Sequence, residues 1–158
     1  MKISRNTRRN ALTVLYQLDC GATLQDEDLR ASLDQSNEDT EDPAGIGNDT
    51  DREDGFELAR SIWERQGEAD ECIAALTPDW PTHRQPIIDR NLLRMGWFEI
   101  TSGCTPPKLA INEAVELARE YSTNQSSLFV NGVLDRIYHG ARDETEADAP
   151  APNADVEH

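Results

Sequence analysis

Two groups of charged side chains in the sequence have types and spacings that could serve chemistry. The first 18 residues carry four basic side chains and no acid, so this segment has a charge of +4. These side chains are Lys2, Arg5, Arg8 and Arg9. Such a cluster can neutralise the phosphates of a nucleic acid. Farther along, Glu113 and Glu116 stand three positions apart, a spacing at which two carboxylates on one helix face could bind a metal ion.

The carboxylate-metal alternative, a helical-bundle enzyme, lacks the rest of its ligand set. Di-iron bundles use Glu-x-x-His pairs on facing helices, and His83, His139 and His158 do not follow a glutamate at that spacing. The sequence also has no glycine-rich phosphate loop and no grouping of a nucleophile with a base. We therefore expect no catalytic residue, metal or cofactor, and we interpret the two glutamates as a solvated, helix-favouring face.

The net charge of −16 is concentrated away from the basic N-terminus. Residues 19–57 hold 14 acids against two bases, and residues 141–158 hold six acids against one base. The rest of the chain sums to +1, from +4 over residues 1–18 and −3 over residues 58–140. The overall acidity therefore does not exclude a nucleic-acid partner.

Apolar residues recur at helical spacing along most of the chain, and no segment shows convincing strand alternation. The predicted helices cover residues 8–18, 56–63, 69–76, 87–100, 108–121 and 128–138, with a short one around 26–33. The segment of about 35–52 is rich in acids, Gly and Pro, which predicts a mobile loop. We expect one all-α domain over residues 1–140 and a disordered acidic tail over 141–158.

The stretch LFVNGVLD, residues 128–135, could form either a β-hairpin or a helix, because Asn-Gly is a common hairpin turn. A hairpin leaves neither strand face clean, whereas a helix places four apolar side chains on one face. Those side chains are Val130, Val133, Leu134 and Ile137. The pattern therefore predicts a helix.

A helix through this stretch has consequences for its polar residues and its glycine. Ser126 or Ser127 is the predicted N-cap. Gly132 would cost about 1 kcal/mol relative to Ala in mid-helix, so we expect another helix backbone to approach it closely. Asn131 beside it is expected to be partly buried and hydrogen-bonded.

Three stretches together resemble the NusB family of bacterial transcription antitermination factors. They are TRRNALTVLYQLD, DRNLLRMGWFEI and PPKLAINEAVELAREYSTNQSSLFVNGVLDRI, and the last is the most specific because it pairs AINEAVELA with FVNGVLD. The resemblance implies an all-α fold of two small helical bundles packed together, and an activity that is binding and not catalysis. Family members pair with the ribosomal protein NusE, and the pair binds boxA RNA of ribosomal RNA leaders within the RNA polymerase antitermination complex.

The resemblance also implies which residues bind. For RNA these are Lys2, Arg5, Arg8, Arg9, Tyr16, Ser126, Ser127 and Phe129, and for the partner protein they are Tyr16, Asp89 and Arg90. The arginine run is sparser than is usual in the family, and Leu128 stands where the family commonly has lysine. We therefore expect RNA affinity to be weaker, or to depend more on the partner.

The expected location is the cytoplasm, with no membrane association. Three widely spaced cysteines indicate a reduced chain, and the N-terminal apolar run is short and interrupted by Gln17, which argues against a signal peptide. The free chain is expected to be a monomer or a homodimer. A protein-binding adaptor of the same fold, without RNA binding, is the alternative function.

Overall fold

A computed structural model describes residues 3–25, 27, 29 and 48–148 of the chain, the last eight by their backbone alone. Within these residues the secondary structure is entirely helical, so the predicted all-α class is confirmed. A single 3₁₀ turn, Thr82–Arg84, precedes the fourth helix. The helices are α1 Arg5–Asp19, α2 Asp49–Glu64, α3 Gln66–Leu76, α4 Ile87–Ser102, α5 Pro107–Tyr121 and α6 Asn124–Asp148.

The helices form two groups that share α4. Helix α1 packs mainly on α2, whereas α4, α5 and α6 pack on one another, and α4 also contacts α1. Apolar side chains from both groups form one buried core, which includes Leu15, Ile62, Leu92, Leu117 and Leu134. This arrangement brings the N-terminal arginines of α1 beside α5, where the candidate site lies.

Local capping explains where α1 and α2 begin. The Ser4 hydroxyl accepts a hydrogen bond from the Thr7 backbone N–H at 3.0 Å, which satisfies a free donor at the start of α1. Asn48 and Asp51 form a capping box at the start of α2. Ser4 also donates to the Asp51 carboxylate at 3.0 Å, so the two helix starts are tied together.

Two predicted boundaries differ from the structure. The loop predicted over about 35–52 lies largely outside the described residues, but 49–52 are helical because the capping box starts α2 there. The disordered tail predicted over 141–158 is wrong for 141–148, which continue α6. Residues 149–158 lie outside the described part of the chain. Among the described helices, every one is too short or too polar to cross a bilayer.

The stretch LFVNGVLD is helical, as predicted, but the reason given for its glycine is wrong. A Cβ added at Gly132 would have nothing within 4 Å, and Asn131 is exposed. Within the described part of the chain no other helix comes close to this position. The Asn-Gly pair therefore lies on the open face of α6, where it weakens the helix without improving packing.

Close approach of helices occurs instead at two other glycines. A Cβ at Gly55 would lie 2.4 Å from the Cβ of Asn10 and 2.9 Å from the Thr7 carbonyl oxygen, so α2 contacts α1 through its backbone. A Cβ at Gly96 would lie 2.5 Å from a terminal methyl of Leu134. These glycines set the spacing between α1 and α2 and between α4 and α6.

The same substitution at Gly55 and Gly132 is expected to shift stability in opposite directions. Gly132→Ala should raise the free energy of unfolding by up to about 1 kcal/mol through helix propensity. Gly55→Ala should lower it by about 1–3 kcal/mol, because the backbone of α1 cannot move aside cheaply. Urea unfolding followed by circular dichroism measures both. A stabilising Gly55→Ala would contradict the packing described for α1 and α2.

Candidate nucleic-acid interface

Arg5 and Arg9 lie one turn apart on the side of α1 that faces α5. Arg5 donates from Nε and Nη2 to both carboxylate oxygens of Glu113, at 2.9 and 3.0 Å, and 46% of its side chain remains exposed. Arg9 donates from Nε and Nη2 to Glu120 at 3.3 and 3.0 Å, with 21% of its side chain exposed. Both guanidinium groups are therefore carboxylate-bound but reachable from solvent.

The pairing of Arg5 changes the electrostatics of Glu113. The hydrogen bond from Arg5 is the main cause that holds the pKa of the Glu113 carboxyl below its ordinary value, and the charges of Arg8 and Arg9 add to it against the effect of burial. Glu113 is buried, so the solvated face predicted for it is wrong. Glu116 is half-buried and pairs with Arg119. No cluster of three metal-ligating side chains occurs among the described residues.

Arg8, which was also predicted to contact RNA, is buried in this structure. Only 3% of its side chain is exposed, and its Nη2 and Nε donate to Glu99 at 2.6 and 3.1 Å. Its Nη1 donates to the Ile3 carbonyl at 3.2 Å. Glu99 is 1% exposed and also accepts from the Thr105 hydroxyl at 2.7 Å. Arg8 therefore joins α1 to α4 inside the protein.

Tyr16 continues the exposed stripe that Arg5 and Arg9 begin. Positions 5, 9 and 16 fall within about 40° of one another around an α-helix, and Tyr16 is 42% exposed. Tyr121, at the end of α5, was not predicted as a site residue. It is 46% exposed, and the burial of the rest of the residue is the main cause that raises its pKa. The nearby Glu120 carboxylate also raises this pKa, and the charge of Arg9 opposes the shift.

Two of the three residues predicted for partner contact, Asp89 and Arg90, point to different neighbours. Arg90 donates from Nε and Nη2 to Asp19 at 2.7 and 2.6 Å, which ties α4 to the end of α1. Burial raises the pKa of the Asp19 carboxyl, but Arg90 and Arg94 outweigh that effect and hold it below its ordinary value. Arg94 also donates to Asp70 on α3 at 2.7 Å, so the network spans three helices.

Asp89 is fully buried, so its side chain is not available for the direct partner contact predicted for it. Its Oδ1 accepts from the Ser122 hydroxyl at 3.0 Å, in the connection between α5 and α6. Its Oδ2 is buried and has no hydrogen-bond partner among the described residues. Asp89 thus positions this connection from inside, while Arg90 and Tyr16 lie nearer the surface.

The start of α6 differs from the prediction for Ser126 and Ser127. Thr123 caps the helix, since its hydroxyl accepts from the Ser126 backbone N–H at 3.1 Å. Ser127 donates its hydroxyl to the Asn124 carbonyl at 2.7 Å, and both serine side chains are buried. Their hydroxyls are engaged within the helix start, so they are not free to bind a phosphate as predicted.

Phe129 packs against the core instead of standing free for stacking. It is half-buried, and its ring centroid lies 4.6 Å from that of Trp80, with the two planes 60° apart. Lys2 lies outside the described residues. Of the predicted RNA-binding side chains, the structure therefore brings three together on one accessible face. These are Arg5, Arg9 and Tyr16, which we call the α1 stripe.

Comparison with known proteins gives a consistent result. The model of the NusB family matches residues 5–139. A transcription antitermination protein NusB from Symbiobacterium thermophilum is 34% identical over 145 residues, which is 91% of this chain and 94% of the relative. The structure of T. maritima NusB is 31% identical, with a TM-score of 0.67, over 88% of this chain and 93% of that one.

One further solved structure to which this chain is similar contains a second protein and RNA. A chain from a crystal structure of antitermination factors NusB and NusE in complex with dsRNA is 25% identical and has a TM-score of 0.69. The match covers 86% of this chain and 96% of that one.

Proposed function

This chain belongs to the NusB family, and from that premise we propose that it is a transcription antitermination factor. In this proposal it binds boxA-type RNA of ribosomal RNA leaders together with the ribosomal protein NusE, within the RNA polymerase antitermination complex. The activity is binding and not catalysis, and it supports ribosomal RNA transcription in the cytoplasm. Residues 1–140 are the proposed binding domain, and the acidic segment of about 35–48 and the acidic C-terminus are accessory to it.

The observation that carries the proposal is the α1 stripe. Arg5, Arg9 and Tyr16 share one exposed helix face, and Tyr121 adds a second exposed aromatic ring beside Arg9. Phosphate neutralisation by cations and stacking of bases on aromatic rings are two of the main contacts through which single-stranded RNA is bound. The stripe therefore combines the side chains that the proposed ligand needs.

Binding through the stripe requires the arginines to exchange partners. Arg5 and Arg9 already bind Glu113 and Glu120, so a phosphate must replace a carboxylate at each guanidinium. The Arg9–Glu120 pair is partly exposed, and surface ion pairs contribute only about 0–1 kcal/mol, so a phosphate can replace Glu120 at little cost. Replacing the buried Glu113 at Arg5 costs more, but Arg8 remains 3.9 Å from that carboxylate. The gain per phosphate is smaller than for a free arginine, which supports dependence of RNA affinity on the partner.

The partner surface proposed here adjoins the stripe. Tyr16 lies near the end of α1, and Arg90 binds Asp19 at that same end. A protein docked against these residues would meet RNA that follows α1. The crystal structure of NusB and NusE with dsRNA, to which this chain is similar, supports the pairing.

A titration tests the function directly. A labelled boxA-type RNA is titrated with this chain, with NusE, and with both, and fluorescence anisotropy reports the dissociation constant. We expect the pair to bind more tightly than either protein alone, and more tightly than it binds a scrambled RNA of equal length. If the chain binds NusE without changing RNA affinity, the protein is an adaptor and the RNA-binding proposal is wrong.

A further inference from the structure

A groove between α5 and α6 is lined by positively charged and amide side chains on a strongly acidic protein. Its volume is about 390 Å³, and it lies on a different side of α5 from the glutamates that bind Arg5 and Arg9. Its charged and amide side chains are Lys108, Asn112, Arg119, Asn131 and Asp135. We call this the α5–α6 groove.

The cationic side chains of the α5–α6 groove suit an anionic ligand. Within the described residues, Lys108 has no carboxylate at ion-pair distance. Arg119 pairs with Glu116 but keeps 56% of its side chain exposed. Asp135 is the one acid in the lining, and His139 lies 3.5 Å from it. The lining itself holds two cations and one acid, and counting Glu116, which pairs with Arg119, the groove is neutral on a chain whose net charge is −16.

Two exposed asparagines face the α5–α6 groove from opposite helices. Asn112 belongs to AINEAVELA and Asn131 to FVNGVLD, and no hydrogen bond of either side chain occurs within the described part of the chain. Asn131 precedes Gly132, and both are poor helix formers in the middle of α6. Among the described residues nothing bonds to the Asn131 side chain, so its place in the helix is explained by a ligand in the groove.

We propose that the α5–α6 groove binds a nucleobase and the adjoining phosphates of single-stranded RNA. In this proposal Asn112 and Asn131 hydrogen-bond the base edge, and Lys108 and Arg119 bind the flanking phosphates. The inference rests on the proposed function and extends the RNA surface across α5. A carboxamide presents a donor and an acceptor together, which matches the edge of an unpaired base. Leu128, 73% exposed at the groove, supplies an apolar contact for the base face.

The test measures binding of a labelled boxA-type RNA to the complex of this chain with NusE. Asn112→Ala and Asn131→Ala should each raise the dissociation constant about fivefold or more, with little change in its salt dependence. Lys108→Ala should reduce the slope of log K against log salt by about 0.7, the value for one phosphate. Gln66→Ala on α3, an amide outside the groove, is the matched control and should bind as the wild type does.

Loss of folding should not account for weaker RNA binding by the asparagine variants, because alanine favours a helix more than asparagine does. Circular dichroism should show Asn131→Ala to be at least as stable as the wild type. The groove proposal is wrong if both asparagine variants bind RNA as the wild type does. In that case the proposed function still stands if changes at Arg5 and Arg9 weaken binding. If the asparagine variants instead weaken the binding of NusE measured in the absence of RNA, the groove binds protein. If the wild-type complex binds no RNA, both the groove proposal and the proposed function are wrong.

Discussion

Replacing Arg8 by Ala is expected to lower the free energy of unfolding by about 3–5 kcal/mol. The change removes the cation that faces Glu99, whose side chain is 1% exposed. Among the described residues it leaves the Thr105 hydroxyl as the donor to that carboxylate. Domains of this size are stable by only about 5–15 kcal/mol, so the variant should be close to unfolding. Urea unfolding followed by circular dichroism measures the loss.

Two variants separate this effect from simple loss of charge. Arg5→Ala removes an arginine that is 46% exposed from the buried carboxylate of Glu113, which keeps Arg8 at 3.9 Å, and should cost only about 1–2 kcal/mol. The double variant Arg8→Met with Glu99→Leu removes both buried charges and should recover much of the stability that Arg8→Ala loses. If Arg8→Ala is as stable as Arg5→Ala and instead weakens RNA binding, the buried role assigned to Arg8 is incorrect.

The role of Arg8 shows where sequence reasoning about a charged cluster fails. Arg5, Arg8 and Arg9 are all basic and close in sequence, which suggests a common function. Helical periodicity separates them, because position 8 lies on the same face as Ala11 and Leu15, both fully buried. The spacing of the apolar residues therefore indicated that Arg8 is buried, but the prediction grouped it with Arg5 and Arg9 because all three are basic.

The fold itself was largely predictable, because each helix has an apolar face at the period of an α-helix. Which neighbour meets that face was not. The sequence does not show whether a helical glycine is closely packed or exposed. A close helix contact was therefore expected at Gly132, but the structure has such a contact at Gly55 and none at Gly132 among the described residues. Likewise, Asp89 and Arg90 are adjacent in sequence but have different neighbours. Asp89 accepts from Ser122 in the connection between α5 and α6, and Arg90 donates to Asp19 at the end of α1. The reason is that successive helix residues point about 100° apart.

The candidate site was predictable to the extent that the family resemblance identified side chains that the helix period also exposes. Arg5, Arg9 and Tyr16 meet both conditions. Ser126 does not, because the cap at Thr123 shifts the helix start and buries its hydroxyl. The exact start of this helix depends on one local hydrogen bond, which cannot be predicted from the spacing of the apolar residues.

Changing Arg5 and Arg9 together to Ala is expected to have the largest effect on RNA binding. Each arginine that binds a phosphate contributes about 0.7 to the slope of log K against log salt for a single strand, so the slope should fall by about 1.4. Loss of two charge-assisted contacts should raise the dissociation constant at least tenfold, roughly 1.4 kcal/mol. The fold should persist, because Arg8 still lies 3.9 Å from Glu113. Anisotropy titrations of boxA-type RNA at several salt concentrations, with NusE present, measure both quantities.

The opposite change is to keep the arginine and remove the carboxylate that pairs with it. Glu120→Gln releases Arg9 from its carboxylate and should tighten RNA binding while making it more salt-dependent, because a phosphate no longer displaces a competing anion. Glu68→Gln on α3 frees Arg65 and alters the net charge equally, so it controls for a general charge effect and should leave RNA affinity unchanged. If neither the arginine pair nor Glu120 alters the salt slope, the ion pairs between α1 and α5 persist in the complex. RNA would then have to bind elsewhere, and the α1 stripe would be a structural element only.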